Sequence, residues 1–152
     1  MITLKGVKTM RLWHKDLIKF LPDNQLRGQW RECFLIAKDI KETGKPNHLL
    51  VNQIENYPID DFESYCFLVY LAMNGRGFRT TDKAVIKIQE LGGRVTKTNI
   101  FENWHTKDYL RSNMANLWEK HFMGIGKSRI TDEEWARLCE GYEKITGEPY
   151  EI

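Results

Sequence analysis

The chain has 152 residues, of which 41% are hydrophobic and 29% are charged, and its formal net charge is +2. This length predicts one domain with a substantial core, and the near-balanced charge excludes a strongly basic field over the whole protein. The charge is nevertheless uneven, because residues 1–45 carry ten Lys/Arg against five Asp/Glu and residues 76–128 again carry ten against five. Residues 46–75 carry no Lys/Arg and four Asp/Glu, and residues 129–152 carry three Lys/Arg and seven Asp/Glu. The two basic blocks either converge on one polyanion-binding surface or are ordinary solvated charge.

The cysteines indicate the compartment. Cys33, Cys66 and Cys139 are odd in number and widely spaced, with no C-x-x-C pair, so free thiols in a reducing compartment are expected. The sequence has no run of about 18 apolar residues, and residues 1–10 lack the apolar segment of a signal peptide. We therefore expect a cytoplasmic, monomeric protein without a membrane partner.

Residues 1–9 show no clear period and are expected to form an arm or extension, with residues 10–152 as a single helical domain. The pattern of residues 22–42 predicts the first long helix, with Asp23 or Asn24 as its N-cap and Gly44 at its end. Its core-facing stripe recurs every three or four residues and consists of Leu26, Trp30, Cys33, Ala37 and Ile40.

A neighbouring face of this helix carries the residues of greatest chemical interest. Arg31 lies beside that face, whose members are Gln25, Gly28, Gln29, Glu32 and Ile36. A glycine inside a helix costs up to about 1 kcal/mol relative to alanine, and it is best explained if another molecule approaches the backbone there. The hypothesis is that this face is an active site.

The second helix is predicted to begin near Pro58, with Asp60 and Glu63 forming a capping box. Residues 62–73 are apolar nearly all round, so we expect this helix to be the central buried one. It is closed by residues 75–77 (Gly-Arg-Gly), which fit a helix C-cap and a phosphate contact equally well.

Three further helices complete the predicted fold. Asp82 begins the third, Thr106 caps the fourth, and Thr131 with Glu134 forms a capping box for the last. Five helices and almost no alternating strand pattern predict an all-α domain.

The histidines do not predict a metal site. His14, His48, His105 and His121 show neither H-E-x-x-H nor H-x3-5-H spacing. The chain also lacks a Walker loop and a G-x-G-x-x-G element, so no cofactor is expected. His14 and His48 lie in polar, non-helical stretches and are the candidate pocket members.

Several segments resemble one protein family. They are residues 10–18 (MRLWHKDLI), 21–26 (LPDNQL), 28–33 (GQWREC), 46–52 (PNHLLVN) and 75–78 (GRGF). Together they resemble the pyrimidine-dimer DNA glycosylases of the phage endonuclease V type, and more closely the cellular branch of that family, over residues 10–125. The resemblance implies a compact endonuclease V-like domain that binds damaged or modified double-stranded DNA and flips a nucleotide out of the duplex. The implied activity is that of a DNA repair N-glycosylase, with or without an AP-lyase step.

The resemblance also implies roles for individual residues. Glu32 occupies the position of the catalytic acid/base, and Arg31 would hold a phosphate or stabilise the opened sugar. Asn24 and Gln25 match the polar pair that contacts DNA at the lesion. Arg11 aligns with the residue that bears the family's nucleophilic amine. The other expected substrate contacts are His14, Gln29 and His48.

The nucleophile is left open by the sequence. It is the α-amine if translation starts at Met10, a lysine such as Lys15, or a water molecule activated by Glu32 without a lyase step. Leu35 stands where the family has a second arginine. A hypothesis from another class is a non-catalytic helical module that binds nucleic acid or a protein partner.

Overall fold

The computed structural model describes residues 11–45, 49–95, 99–126 and 129–152. These residues form five α-helices and two 3-10 turns joined by loops, and no strand occurs among them. The helices are α1 (Asp23–Thr43), α2 (Ile59–Gly75), α3 (Asp82–Gln89), α4 (Lys107–Phe122) and α5 (Asp132–Thr146), and the 3-10 turns are Ile18–Phe20 and Leu49–Asn56. The all-α prediction is confirmed, whereas the predicted arm of residues 1–9 lies outside the described residues.

Helix α1 packs against α2 and α3, and α4 packs against α5. Leu26, Trp30, Cys33 and Ala37 are buried, as the periodic stripe predicted, and Ile40 packs against the core at its edge. Full burial of such an apolar side chain contributes about 1.5–3 kcal/mol, so this stripe fixes which face of α1 is left for chemistry.

Most helix ends follow the local sequence. Thr106 and Thr131 accept hydrogen bonds from backbone N–H groups of α4 and α5, and Glu134 completes the capping box of α5. Gly44 ends α1 with φ of +83°, a left-handed conformation that glycine adopts without strain. These predicted ends are confirmed.

The predicted N-cap of α1 is wrong. Helix α1 begins at Asp23 after Pro22, and Pro22 makes no side-chain cap. The Asp23 carboxylate is instead 2.9 Å from the guanidinium of Arg76, which also donates to the Leu21 carbonyl at 2.6 Å. Arg76 therefore ties the start of α1 to the end of α2, where its backbone is the C-cap.

The predicted capping box of α2 is also wrong. Helix α2 begins after Pro58 without a side-chain cap. Glu63 accepts a hydrogen bond from Gly93 N at 2.8 Å, and Asp60 accepts one from Arg94 N at 3.0 Å. Both carboxylates therefore bind the loop after α3. The backbone N–H groups of this loop have no partner within a helix, and they lie beside the start of α2.

Helix α2 is not buried all round, contrary to the prediction. Phe62, Tyr65, Cys66, Val69 and Met73 are buried, whereas Phe67, Leu68 and Leu71 are 42%, 37% and 50% exposed. The elements that pack against α2 are α1, α3 and the 3-10 turns, and they leave its remaining side uncovered.

Candidate active site

The backbone of residues 11–16 is fastened to α1 by Gln29, whose side chain is 1% exposed. Gln29 Oε1 accepts a hydrogen bond from Trp13 N at 2.7 Å, and Gln29 Nε2 donates to the Arg11 carbonyl at 2.9 Å. The Tyr65 hydroxyl of α2 lies 2.5 Å from the Trp13 carbonyl and 2.9 Å from Gln29 Oε1. Burial raises the pKa of Tyr65 well above its usual range, so the hydroxyl remains a donor.

The other side of the same segment is held by α4 and the loop before it. Asn113 Oδ1 accepts a hydrogen bond from His14 N at 2.6 Å, and the Tyr109 hydroxyl donates to the Leu12 carbonyl at 2.7 Å. His105 Nδ1 accepts from Lys15 N at 2.9 Å. A buried backbone group left unpaired costs about 1–3 kcal/mol, so these bonds fix the path of the segment. The N-terminal clamp is the set of five side chains Gln29, Tyr65, His105, Tyr109 and Asn113.

The two histidines of this region are buried and neutral. His14 Nδ1 accepts from Asp16 N at 3.1 Å, and the ring centroids of His14 and His105 are 5.3 Å apart. Burial, with help from nearby His14 and Lys15, lowers the pKa of His105 to about 2. Burial also lowers the pKa of His14. Both rings therefore act at neutral pH as hydrogen-bond acceptors for the backbone.

Glu32 lies at the end of this network. Its Oε1 is 3.3 Å from Gln29 Nε2, the same amide nitrogen that donates to the Arg11 carbonyl. The side chain is half-buried, since Glu32 lies on the edge of α1 that borders the segment. One amide group thus brings the backbone at Arg11 next to a carboxylate that solvent still reaches.

The remaining predicted site residues differ in exposure. Asn24 and Arg31 are exposed and Gln25 is half-buried, so these three reach the surface of α1. His14 is 4% exposed, and it contacts the protein's own backbone in this structure, as Gln29 does. The prediction for His48 falls outside the described residues.

Gly28 and Lys15 bear on two questions that the sequence left open. They are whether another molecule approaches the backbone of α1, and which group is the nucleophile. A Cβ added at Gly28 would have no atom within 4 Å, so the surface beside this turn of α1 is open. Lys15 Nζ is 3.1 Å from Asp16 Oδ1, and its side chain is 16% exposed.

Sequence reasoning missed four clamp residues: Tyr65, His105, Tyr109 and Asn113. Tyr65 is one of many aromatic residues in an apolar helix, and the partners of the other three are 90–99 residues away in sequence. A buried asparagine within the apolar period of α4 was the only local signal, because a buried amide requires a partner.

Within the described ranges, no group of three or more His, Cys, Asp or Glu side chains is arranged to hold a metal ion. No helix in the same residues combines the length and apolar character needed to cross a membrane.

The family model for pyrimidine dimer DNA glycosylase matches residues 10–85, which is half of the chain. The chain belongs to this family. Membership confirms the resemblance and assigns a DNA repair function of the glycosylase type at the level of the family. No curated protein and no solved structure matches the chain.

The family match contains only part of the N-terminal clamp. Of the five clamp residues, Gln29 and Tyr65 lie within residues 10–85, as do Arg11 and Glu32 outside the clamp. The clamp residues of α4 and its preceding loop lie beyond that range, so the position of the matched N-terminal segment depends on a part of the chain that the family model does not match.

Proposed function

We propose that the chain is a DNA N-glycosylase that removes a damaged or modified base from duplex DNA, with Glu32 as the catalytic acid/base. The observation that carries this proposal is the amide of Gln29, which lies 2.9 Å from the Arg11 carbonyl and 3.3 Å from the Glu32 carboxylate. A family glycosylase needs a nucleophile near the chain segment at Arg11 and a carboxylate beside it, and this contact supports that pairing.

The proposed reaction begins at C1′ of the flipped nucleotide. An amine attacks C1′, the N-glycosidic bond breaks, and the base leaves with its bonding electron pair and takes a proton from water. Glu32 accepts the proton that the amine loses. Glu32 then returns this proton to the ring oxygen O4′ as the C1′–O4′ bond breaks, so the sugar opens to a Schiff base. Loss of a C2′ proton then expels the 3′ phosphate in the lyase step. Water in place of the amine would release the base and leave an intact abasic strand.

The surface of α1 supports DNA binding next to Glu32. Arg31 is exposed one residue away, and Asn24 and Gln25 reach the surface about two turns earlier. We assign Arg31 to a phosphate, and Asn24 and Gln25 to the lesion.

A contact at the start of α1 brings the two basic blocks of the sequence together. The guanidinium of the exposed Arg27 lies 4.2 Å from the ring centroid of Phe78, which belongs to the second block. Arg76 of that block is paired with Asp23 and only 16% exposed, so the exposed charge offered to a polyanion here comes from Arg27.

The deciding experiment uses Glu32→Gln on two duplexes, one with a cyclobutane pyrimidine dimer and one with an abasic site. Wild type is expected to cleave a glycosidic bond of the dimer, which leaves an alkali-labile strand because the detached base stays linked to its cyclobutane partner, or to trap covalently with borohydride on either duplex. Glu32→Gln should lower the rate by about 10²–10⁴-fold, because a positioned acid/base contributes that much. Glu42→Gln is the matched control, since Glu42 is exposed on the same helix.

Equal rates for wild type and Glu32→Gln would contradict the assignment of Glu32. Wild type that neither makes the dimer duplex alkali-labile nor forms an adduct on either duplex would favour the non-catalytic module instead. Activity on the abasic duplex alone would place the substrate outside the pyrimidine dimers.

A further inference from the structure

A groove lies between the first 3-10 turn, the exposed side of α2 and the end of α5, with a volume of ≈ 710 Å³. Its floor includes Leu68, Leu71 and Ile145, and its rim includes Lys15, Lys19 and Lys144. We call this surface the lysine-rimmed groove. It contains neither Glu32 nor any residue of the N-terminal clamp, and of the candidate site residues it includes only Lys15, one of the candidate nucleophiles.

The floor of the groove is apolar and exposed. Leu71 is 50% exposed and Leu68 is 37% exposed, in the middle of a helix whose other faces form the core. Contiguous apolar surface on a monomer generally marks an interaction site. Covering a leucine completely contributes about 1.5–3 kcal/mol, so a partner that fits this floor gains affinity from it.

The rim of the groove is positive. Lys19 Nζ and Lys144 Nζ lie 5.5 Å and 6.0 Å from the ring centroid of Phe20. Asp16 is the single acidic side chain of the lining, and it pairs with Lys15 at 3.1 Å. Lys144 lies 3.9 Å from Glu140, which is outside the lining, and this solvent-exposed pair leaves the lysine 67% exposed and contributes little. The lining carries three lysines against one carboxylate. The electrostatic complement of this surface is therefore acidic.

The shape of the groove is built into the fold. A Cβ at Gly141 would lie 2.4 Å from the Phe20 ring, so only glycine allows α5 to approach the 3-10 turn this closely. This contact holds Phe20 between the two lysines and fixes the width of the groove at that end.

We propose that the lysine-rimmed groove docks a peptide segment of a partner protein that combines acidic with apolar side chains. A twofold contact with a second copy would set lysines against lysines, which repel each other. Duplex DNA would satisfy the lysines but would leave Leu68 and Leu71 without an apolar partner. A segment with both acidic and apolar side chains would pair with the lysines of the rim and cover the leucines of the floor.

The test begins with random 12-residue peptides displayed on phage and selected on the full chain. The selected peptides are expected to be enriched in Asp, Glu and large apolar residues. Synthetic copies are then measured by fluorescence anisotropy. Leu71→Ser and Lys144→Glu should each weaken binding by about tenfold or more, as truncation of a central contact typically does.

Two exposed residues of α3 outside the groove supply matched controls. Ile86→Ser and Lys83→Glu make the same chemical changes, and both should leave peptide affinity unchanged. Equal melting temperatures would show that the groove variants are folded.

Four outcomes would overturn the proposal. The first is the recovery of no binding peptide. The second is peptides without acidic enrichment, or with affinities that the groove variants do not change. The third is a concentration-dependent dimer in sedimentation that Leu71→Ser abolishes, which would assign the groove to a second copy. The fourth is weaker binding of duplex DNA by Lys144→Glu but not Lys83→Glu, without a peptide effect, which would assign the groove to DNA.

Discussion

Gln29 links two parts of the candidate site through one side chain. Its amide oxygen accepts from Trp13 N, and its amide nitrogen lies near both the Arg11 carbonyl and Glu32 Oε1. A side-chain amide carries its acceptor oxygen and its two-proton donor nitrogen on separate atoms, so one group serves both partners. We infer that Gln29 is a positioning residue, although the sequence predicted a substrate contact for it.

His105 gives a prediction at the scale of the residue. Its folded-state pKa is about 2, against an ordinary value of 6.5, so the unfolded chain binds one proton more between these pH values. Stability therefore rises with pH in this window and falls on acidification, by about 1.4 kcal/mol per pH unit for one group. His105→Asn retains a hydrogen-bond acceptor. Between pH 7 and pH 5, its free energy of unfolding should fall by about 2 kcal/mol less than that of wild type.

Urea denaturation at the two pH values measures this difference. His14, whose pKa is also lowered by burial, contributes in the same direction and remains in the variant, so the effect of pH should shrink without vanishing. A variant whose stability falls as steeply as that of wild type would show that His105 is not the group that resists protonation.

Helix α1 gives a prediction at the scale of the element. Gly28 lies inside this helix with open space where a Cβ would be. Gly28→Ala should therefore stabilise the fold by up to about 1 kcal/mol, since alanine is the better helix former. If DNA approaches the backbone at this turn, the same variant should bind duplex DNA more weakly.

Thermal unfolding and duplex binding are both measured on Gly28→Ala, with Ser112→Ala as the control. Ser112 is an exposed residue inside α4, where alanine is again the better helix former. A more stable Gly28→Ala protein with unchanged DNA affinity would mean that the glycine is not a contact point.

The helices were predictable because their signals are local. The capping box of α5 and the apolar stripe of α1 each depend on residues three or four positions apart, and both are confirmed. The exposed side of α2 was not predictable. An apolar period shows which faces of a helix can be buried, but it does not show which other elements pack against them. The carboxylates of Asp60 and Glu63 bind a loop 30–34 residues away, which no local pattern encodes.

At the scale of the whole molecule, the candidate site is assembled from parts of the chain that are far apart in sequence. Glu32 and Gln29 follow from the pattern of one helix and were predictable as neighbours. The bonds from His105, Tyr109 and Asn113 to residues 11–16 span 90–99 positions, and they depend on how α4 packs. The sequence therefore predicted the carboxylate, and the fold supplies the clamp that places the chain segment beside it.

This placement leads to a prediction about the nucleophile. The family match begins at Met10, and the next residue is fastened beside Glu32 through Gln29. An α-amine with an ordinary pKa near 7.8 is about one-third deprotonated at pH 7.5, whereas an ordinary lysine is about 0.1% deprotonated. A chain that starts at Met10 should therefore form a Schiff base on an abasic duplex more readily than the 152-residue chain.

Peptide mass mapping of the borohydride-trapped adduct identifies the attacking amine. We expect the modification on the α-amine of Met10 in the shorter chain, with Lys15→Met trapping at the same rate. Modification of Lys15 in both chains would make the lysine the nucleophile. Cleavage of the glycosidic bond in the pyrimidine-dimer duplex without any adduct would assign the attack to water activated by Glu32.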